Sequence, residues 1–262
     1  MVGLFLRRCG MALAGVLALV NVASAQSRTG VDLELVLAVD VSGSMDAEEQ
    51  RIQRDGYIQA FRNGALMSAI RSGALGRIAV TYVEWAARPG QTVPWTIISN
   101  AKEAQDFAAA LAAAPLYSER GTSISSAISF STGLFDSNAF AGARKVIDIS
   151  GDGPNNAGEP IVDARQAALA KGVTINGIPL LVNTQNALTP LDQYYRDCVI
   201  GGQGAFVIPV TSMEAFAGSI RAKLVSEIAG LAPPPGAPRY QLAQARPRTD
   251  CAERGNFRNF QP

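Results

Sequence analysis

Hydrophobic residues between positions 31 and 230 alternate between short apolar runs and longer stretches with helical spacing. The first run, LELVLAV, is almost continuous, which is typical of a strand that is buried on both faces. Later runs are also short and are rich in β-branched residues. The pattern predicts strands at 33–39, 77–85, 91–98, 145–149, 173–181 and 205–210, and helices at 47–61, 101–114, 122–135, 162–170 and 213–228.

The order of these elements predicts the fold class. Most of the strands are separated by a helix of about ten residues or more, which favours a parallel sheet with helices on both faces. The strands at 77–85 and 91–98 are joined by a short turn at Pro89-Gly90, and they are expected to supply one antiparallel edge strand. We therefore predict an α/β, Rossmann-like three-layer fold with a mostly parallel central sheet.

The two ends of the chain differ from this central region. Arg7 and Arg8 precede an apolar stretch at 11–20 and the small residues at 23–25, which predicts a signal peptide at 1–25 and an exported protein, periplasmic or secreted. The apolar stretch is too short to span a bilayer, so no membrane insertion is expected. One domain is predicted at 26–231. The Pro- and Arg-rich segment at 232–262 is predicted to be disordered.

Composition excludes several classes of function. The chain contains no histidine, which excludes Ser-His-Asp and Cys-His catalysis and the usual His-containing zinc sites. Removal of Arg7 and Arg8 with the signal peptide leaves 21 Lys and Arg against 22 Asp and Glu. No basic face is apparent in the main body, so a nucleic-acid partner is not expected. Cys198 and Cys251 remain after cleavage and can pair in an oxidising compartment, although the geometry of such a bridge cannot be read from sequence.

Oxygen-bearing side chains follow the ends of two predicted strands. Asp40, Ser42 and Ser44 come directly after the first strand, Asp152 comes after the fourth, and Thr122 opens the third helix. Ligands of open α/β sheets lie beyond the carboxyl ends of the strands, so we expect these five side chains to face one point. Their oxygen atoms are hard donors that suit Mg²⁺ or Mn²⁺, with Ca²⁺ as an alternative, and do not suit Zn²⁺.

Three other interpretations overlap these residues. Ser44 and Thr122, each taken alone, are good helix-capping residues. An EF-hand loop matches five positions, but the preceding VIDI predicts a strand and Asn155 stands where such loops carry an apolar residue. A phosphatase of the haloacid dehalogenase type needs a second aspartate where this chain has Ser42, so an enzyme is not expected. The five EF-hand positions are Asp148, Ser150, Asp152, Gly153 and Glu159.

The order of the motifs resembles a known family. D-x-S-x-S after a first strand, a threonine at a mid-chain helix and an aspartate-glycine after a later strand are similar to the metal-ion-dependent adhesion site of a von Willebrand factor A (vWA) domain. The resemblance covers roughly residues 31–230. A family of exported bacterial proteins of unknown function is also similar, in the strings AVDVSGSMDAEEQRIQRDGY, RIAVTYVEWA, RGTSISSAI, VIDISGDGPNN and YYRDCVIGG.

The resemblance implies a role for each site residue. Ser42 and Ser44 would ligate the metal directly, Thr122 would join when a ligand is bound, and Asp40 and Asp152 would act directly or through water. The family commonly has Thr-Asp-Gly where this chain has Gly-Asp-Gly at 151–153, so one hydroxyl next to the site is lost. The polar residues that follow Asp152 are expected to rim the binding face; they are Asn155, Asn156 and Glu159.

The donor set predicts a function. Three of the five donors are neutral hydroxyls, so the protein offers only two negative charges and the metal keeps an affinity for an outside carboxylate. We expect an exported module that binds an Asp or Glu of a protein partner through the metal. The alternatives are a structural scaffold with an empty site and, more distantly, a metal-dependent hydrolase.

Overall fold

The structure is a computed structural model that describes residues 27–182, 190–230, 240–241 and 249–252. The predicted signal peptide at 1–25 lies outside the described residues. The strands are β1 (Thr29–Asp40), β2 (Ile78–Trp85), β3 (Pro89–Ile98), β4 (Phe140–Gly151), β5 (Thr174–Pro179), β6 (Phe206–Val207) and β7 (Tyr240–Gln241). The helices are α1 (Ala47–Phe61), α2 (Gly64–Arg71), α3 (Ala101–Ala113), α4 (Ile124–Leu134), α5 (Ile161–Ala170), α6 (Leu191–Tyr194) and α7 (Met213–Ile228), and a π-helical segment, Tyr195–Val199, follows α6.

The strands form one sheet in the order β3-β2-β1-β4-β5-β6-β7. The neighbours from β2 to β6 pair in parallel, and β3 pairs antiparallel with β2 as predicted. The predicted fold class is therefore confirmed. The turn between β2 and β3 lies at 86–88, slightly earlier than the predicted Pro89-Gly90.

Six residues of the segment predicted to be disordered, 240–241 and 249–252, are described in the structure. β7 pairs antiparallel with β6, so the described residues 240–241 belong to the sheet. Residues 249–252 also contact the domain, because the hydroxyl of Thr249 donates a hydrogen bond of 2.8 Å to the carboxylate of Asp197. The rest of the predicted tail lies outside the described residues.

β1 is an interior strand between β2 and β4, and its residues divide the core into two parts. Leu33, Leu35, Leu37 and Val39 face the helices α1, α2, α3 and α7. Val36 and Ala38 belong to the second cluster, with α4, α5 and α6. A strand that is covered on both faces needs apolar residues at every position, which explains the continuous apolar run in the sequence.

The first turn of α1 is fixed directly beyond β1. The carboxylate of Asp46 accepts hydrogen bonds of 2.8 Å from the backbone N–H groups of Glu48 and Glu49, and the Glu49 side chain accepts the N–H of Asp46. One turn later, Gln53 donates a hydrogen bond of 2.9 Å to the backbone carbonyl of Asp40. This capping box and the Gln53 contact anchor α1 to the end of β1.

Two regions have helices that the hydrophobic pattern did not predict. α2 carries the buried residues Leu66, Met67 and Ile70 at helical spacing behind the capping residue Asn63, so its signal was present but short. The connection between the predicted strands at 173–181 and 205–210 contains α6 and the π-helical segment, which pack in the core. Residues 183–189 lie outside the described residues.

Cys198 of the π-helical segment is joined to Cys251 by a disulfide in the structure. Their sequence separation is 53 residues. Cys198 is completely buried, so the bridge ties the described residues 249–252 to the core of the domain.

No helix among the described residues is both long enough and apolar enough to cross a membrane.

A group of charged side chains is buried between α7 and the sheet. The ammonium of Lys223, which is fully buried, forms ion pairs with Asp148 of β4 and, at 3.0 Å, with Glu227. Asn176 of β5 donates a hydrogen bond of 2.6 Å to Glu227, and its own carbonyl accepts the N–H of Phe206. One cation therefore compensates two buried carboxylates and links α7 to β4, β5 and β6.

Replacement of Lys223 by methionine tests this network. Lys223→Met keeps most of the side-chain volume but leaves two buried carboxylates without a cation, which is expected to lower the free energy of unfolding by about 3–5 kcal/mol. The matched control is Lys102→Met, because Lys102 forms an exposed ion pair with Asp106 on α3 and its loss should change little. Urea unfolding measures the free energy of unfolding of the two variants and of the wild type. Equal stability of the two variants would contradict the account.

Removal of the disulfide tests the anchoring of residues 249–252. Cys251→Ser is expected to lower the free energy of unfolding by about 2–4 kcal/mol, because the unfolded chain loses a cross-link across a long loop. A reductant should destabilise the wild-type protein by a similar amount and leave the variant unaffected. Denaturant unfolding with and without reductant measures this, and a reductant effect of equal size on both proteins would show that the bridge is not its cause.

Candidate metal centre

The end of β1 brings three of the predicted ligands together. The carboxylate of Asp40 is fully buried, and its Oδ1 atom accepts a hydrogen bond of 2.7 Å from the N–H of Ser42. This local bond shapes the turn after the strand, as aspartate side chains commonly do. The Oγ atoms of Ser42 and Ser44 lie 2.9 Å apart. Ser42 is buried, whereas Ser44 is exposed to solvent.

β4 brings the fourth ligand to the same edge. Because β4 is parallel to β1, with Ser150 paired with Val39, residues beyond its carboxyl end lie next to the turn after β1. The hydroxyl of Ser44 donates a hydrogen bond of 2.8 Å to Oδ1 of Asp152. Asp40, Ser42, Ser44 and Asp152 therefore form one continuous chain of hydrogen-bond contacts.

Thr122 lies in the segment before α4, between these two loops. The bridge between Glu119 and Ser42 brings this segment beside the turn after β1. The N–H of Thr122 donates a 2.9 Å hydrogen bond to the side chain of Asn156, and its carbonyl accepts the Asn156 N–H at 2.8 Å. The predicted helix start is corrected by two residues, because Ser123 is the capping residue and α4 begins at Ile124.

The predicted rim residues all contact the beginning of α4. The side-chain carbonyl of Asn155 accepts the N–H of Ser125 at 3.0 Å, and Glu159 accepts the hydroxyl of Ser129 at 2.5 Å. Asn156 binds the segment before the helix, as described above. Through these contacts the three residues attach the loop after β4 to α4 and to the segment before it. Their role at the rim of a binding face stays a prediction.

The EF-hand interpretation is wrong. Asp148 and Ser150 lie inside β4 and are completely buried, and Asp148 is paired with Lys223. They do not belong to a loop that could surround a calcium ion.

Burial changes the titration of both carboxylates of the cluster. Burial, and after it the neighbouring carboxylate of Asp152, raises the pKa of Asp40 to about 8, although hydrogen bonds from Ser42 act in the opposite direction. Burial also raises the pKa of Asp152. Among the described residues, Oδ2 of Asp40 is buried with no hydrogen-bond partner. A divalent cation beside these groups would favour their charged forms.

The donor types also fit a divalent cation. Two carboxylates and three hydroxyls are hard oxygen ligands of the kind that Mg²⁺ and Mn²⁺ prefer. Within the part of the chain that the structure describes, no three residues of the types His, Cys, Asp and Glu lie together as a metal-binding group. The candidate site has three hydroxyl donors and only two carboxylates, so it does not need three residues of these types.

Sequence reasoning missed a tyrosine next to the site. A Cβ atom added at Gly151 would lie 2.8 Å from both Oδ2 of Asp40 and the hydroxyl of Tyr195, and 3.0 Å from the indole ring of Trp85. A larger residue does not fit at position 151, so the absence of the family's usual threonine follows from the local packing. The available signal was the glycine itself, because glycine at the end of a strand often marks a close approach.

The fold and this arrangement define a vWA-type domain. It is a three-layer α/β structure with D-x-S-x-S at the end of the interior strand β1 and an aspartate beyond the neighbouring parallel strand β4. The chain belongs to the family described as Protein of unknown function (DUF1194), whose model matches residues 30–232. No curated protein sequence is significantly similar to the chain.

Several solved structures are similar in fold. Proximal thread matrix protein 1 from the mussel byssus has a TM-score of 0.56 at 15% identity, with 77% of this chain and 49% of that chain covered. A further structure of that protein has a zinc-occupied MIDAS motif, with a TM-score of 0.55, 17% identity and the same coverage. The pilus adhesin SpaC from Lactobacillus rhamnosus GG has a TM-score of 0.58 at 13% identity, with 76% and 30% covered.

A von Willebrand factor type A structure from Catenulispora acidiphila has a TM-score of 0.53 at 14% identity, with 76% of this chain and 43% of that chain covered. These identities establish the fold alone. The chain spans about half the length of the mussel protein.

Replacement of Gly151 by alanine tests the packing around Asp40. The added Cβ atom must displace Asp40, Tyr195 or Trp85, which is expected to cost about 1–3 kcal/mol of stability. The matched control is Gly218→Ala on the exposed face of α7, where nothing lies within 4 Å of the new atom. That substitution should stabilise the helix by about 0.5–1 kcal/mol. Thermal unfolding measures both, and a Gly151→Ala protein as stable as the wild type would contradict the packing described.

Proposed function

We propose that this protein is an exported vWA-type binding module that captures an acidic group of a protein partner through a divalent cation. The observation that carries the proposal is the cluster of Asp40, Ser42, Ser44 and Asp152, in which two crowded carboxylates and two hydroxyls lie in contact. The predicted leader at 1–25 supports export.

The donor set explains how such a site would work. Ser42, Ser44 and Thr122 would supply hydroxyl oxygens, and Asp40 and Asp152 would bind directly or through water. A divalent cation held by two carboxylates retains an affinity for a further anion, so a carboxylate from a partner can complete its coordination. The zinc-occupied MIDAS of the mussel protein supports a divalent cation at this position of the fold. Oxygen ligands alone favour Mg²⁺ or Mn²⁺, with Ca²⁺ as an alternative.

The surface beside the cluster supports a protein as the partner. Leu116 and Tyr117, which precede the segment that pairs with Ser42, are 41% and 51% exposed. Arg88 and Glu119 form an ion pair next to them. Exposed apolar and aromatic side chains beside a charged site are typical of protein interfaces and would contribute nothing to the binding of a small inorganic anion.

Two other functions remain as alternatives. A scaffold protein would keep the fold but would not need the metal, and a metal-dependent hydrolase would turn over a substrate. The experiments below separate the first alternative from the proposal, and a broad phosphatase and esterase screen tests the second.

Metal binding is expected at one site with a defined set of ligands. In calorimetric titration of the mature protein with Mg²⁺ and Mn²⁺, Ser44→Ala and Asp152→Ala should each weaken binding at least about 10-fold, a loss typical of changes at a metal site. Ser44 is exposed, so its truncation removes a ligand without leaving a cavity in the core. The control is Ser68→Ala, the same change at an exposed position of α2, which should leave the affinity unchanged. Equal affinities in all four proteins would place the metal elsewhere.

Partner capture should depend on both the cation and the ligands. The wild type and Ser44→Ala are used as bait in a periplasmic extract, each with Mg²⁺ and with EDTA. Only the wild type with Mg²⁺ is expected to retain the partner. A partner retained equally in all four samples would support the scaffold function instead.

A further inference from the structure

Tyr195 lies across two glycines on adjacent strands. A Cβ atom on Gly177 of β5 would come within 2.7 Å of the Tyr195 ring, and one on Gly151 of β4 would come within 2.8 Å of the Tyr195 hydroxyl. Tyr195 is fully buried. The ring is therefore seated in a groove that exists because both strands carry a glycine here, Gly177 beside Ile149 and Gly151 two residues further along β4.

This groove directs the hydroxyl of Tyr195 toward the buried side of Asp40. The Tyr195 hydroxyl and Oδ2 of Asp40 are each 2.8 Å from the same point beside Gly151. Among the described residues, neither atom has a hydrogen-bond partner, and both are buried. The hydroxyl is a hydrogen-bond donor and the carboxylate oxygen is an acceptor, so the two groups are complementary.

The protonation of Tyr195 agrees with a donor role. Burial, and after it the carboxylates of Asp40 and Asp152, raises the pKa of Tyr195 far above its usual range. A tyrosine hydroxyl is protonated at neutral pH in any case, because its ordinary pKa is about 10. The same two carboxylates are those of the candidate metal centre.

The chain on both sides holds Tyr195 in place. The preceding residue, Tyr194, accepts a 3.3 Å hydrogen bond from the N–H of Asn155, in the loop that carries Asp152. The carbonyl of Tyr195 accepts the N–H of Ile200 at 2.9 Å, and Cys198 in the same π-helical segment is bonded to Cys251. A side chain that is fixed in this way can hold another group in a constant orientation.

We propose that Tyr195 is a positioning residue of the metal centre. When the cation is bound, its hydroxyl donates a hydrogen bond to Oδ2 of Asp40, either after a small movement of the two groups, which are not bonded in this structure, or through one water molecule. This bond holds the carboxylate in the orientation that the cation requires. Groups that hydrogen-bond to a metal ligand and fix its orientation typically contribute about 10- to 100-fold to metal affinity. The inference rests on the proposed function, because it concerns the same site.

The test removes the hydroxyl and keeps the ring. The mature wild-type protein, Tyr195→Phe and Tyr82→Phe are titrated with Mn²⁺, and the dissociation constants are measured by electron paramagnetic resonance. Tyr82 is the matched control, because it is also a buried tyrosine, in β2, and belongs to the core cluster on the other face of the sheet. Tyr195→Phe is expected to bind Mn²⁺ about 10- to 100-fold more weakly, whereas Tyr82→Phe should bind like the wild type.

Each outcome has a distinct meaning. If the wild type and both variants bind equally, or if both variants are weakened equally, Tyr195 has no positioning role and the proposed metal site stands. If the wild type does not bind Mn²⁺, the proposed function fails and this inference fails with it.

A second measurement uses the wild-type side chain and does not depend on the folding of Tyr195→Phe. The near-ultraviolet absorption of tyrosine should change when Mg²⁺ is added to the wild type, and it should not change in Ser44→Ala at the same Mg²⁺ concentration. If the tyrosine absorption of the wild type does not change at saturating Mg²⁺, the environment of the Tyr195 hydroxyl does not depend on the metal. That result would overturn the proposal.

Discussion

The site depends on one electrostatic constraint, which is the close approach of two aspartates at the ends of neighbouring parallel strands. Asp40 is buried and its pKa is raised to about 8, first by burial and then by Asp152. Two carboxylates in this position repel each other unless a cation lies between or beside them. The fold creates this arrangement because β1 and β4 are parallel, so the segments that follow the two strands leave the sheet at the same edge.

Most of the surrounding contacts keep this arrangement rigid. The capping box of Asp46 and Glu49 and the hydrogen bond from Gln53 fix the chain after β1. Asn156 joins the loop after β4 to Thr122. These bonds are made by backbone groups or by side chains outside the donor set, and they add to the hydrogen bonds that the donor oxygens of Asp40, Ser42 and Ser44 make themselves. Such pre-organisation is what a metal site needs.

Much of the fold was predictable because its signals are local. The apolar run of β1, the capping box of α1 and the spacing in α7 are each contained within a few residues. The proximity of Asp40, Ser42, Ser44 and Asp152 was predictable for a related reason, since strand ends in a parallel sheet meet at one edge. Tyr195 was not predictable, because its position depends on contacts with two glycines in distant strands. The pairing of β7 with β6 and the Cys198–Cys251 bridge are also long-range contacts, which periodicity does not reveal.

The most direct test of the central claim is a crystal structure of the mature protein grown with Mn²⁺, with anomalous scattering used to locate the metal. The account predicts one strong anomalous peak in contact with the hydroxyl oxygens of Ser42 and Ser44, at about 2.0–2.2 Å, a distance typical of octahedral binding by oxygen ligands. A peak at another location, or no peak at a Mn²⁺ concentration that saturates the protein in solution, would contradict it.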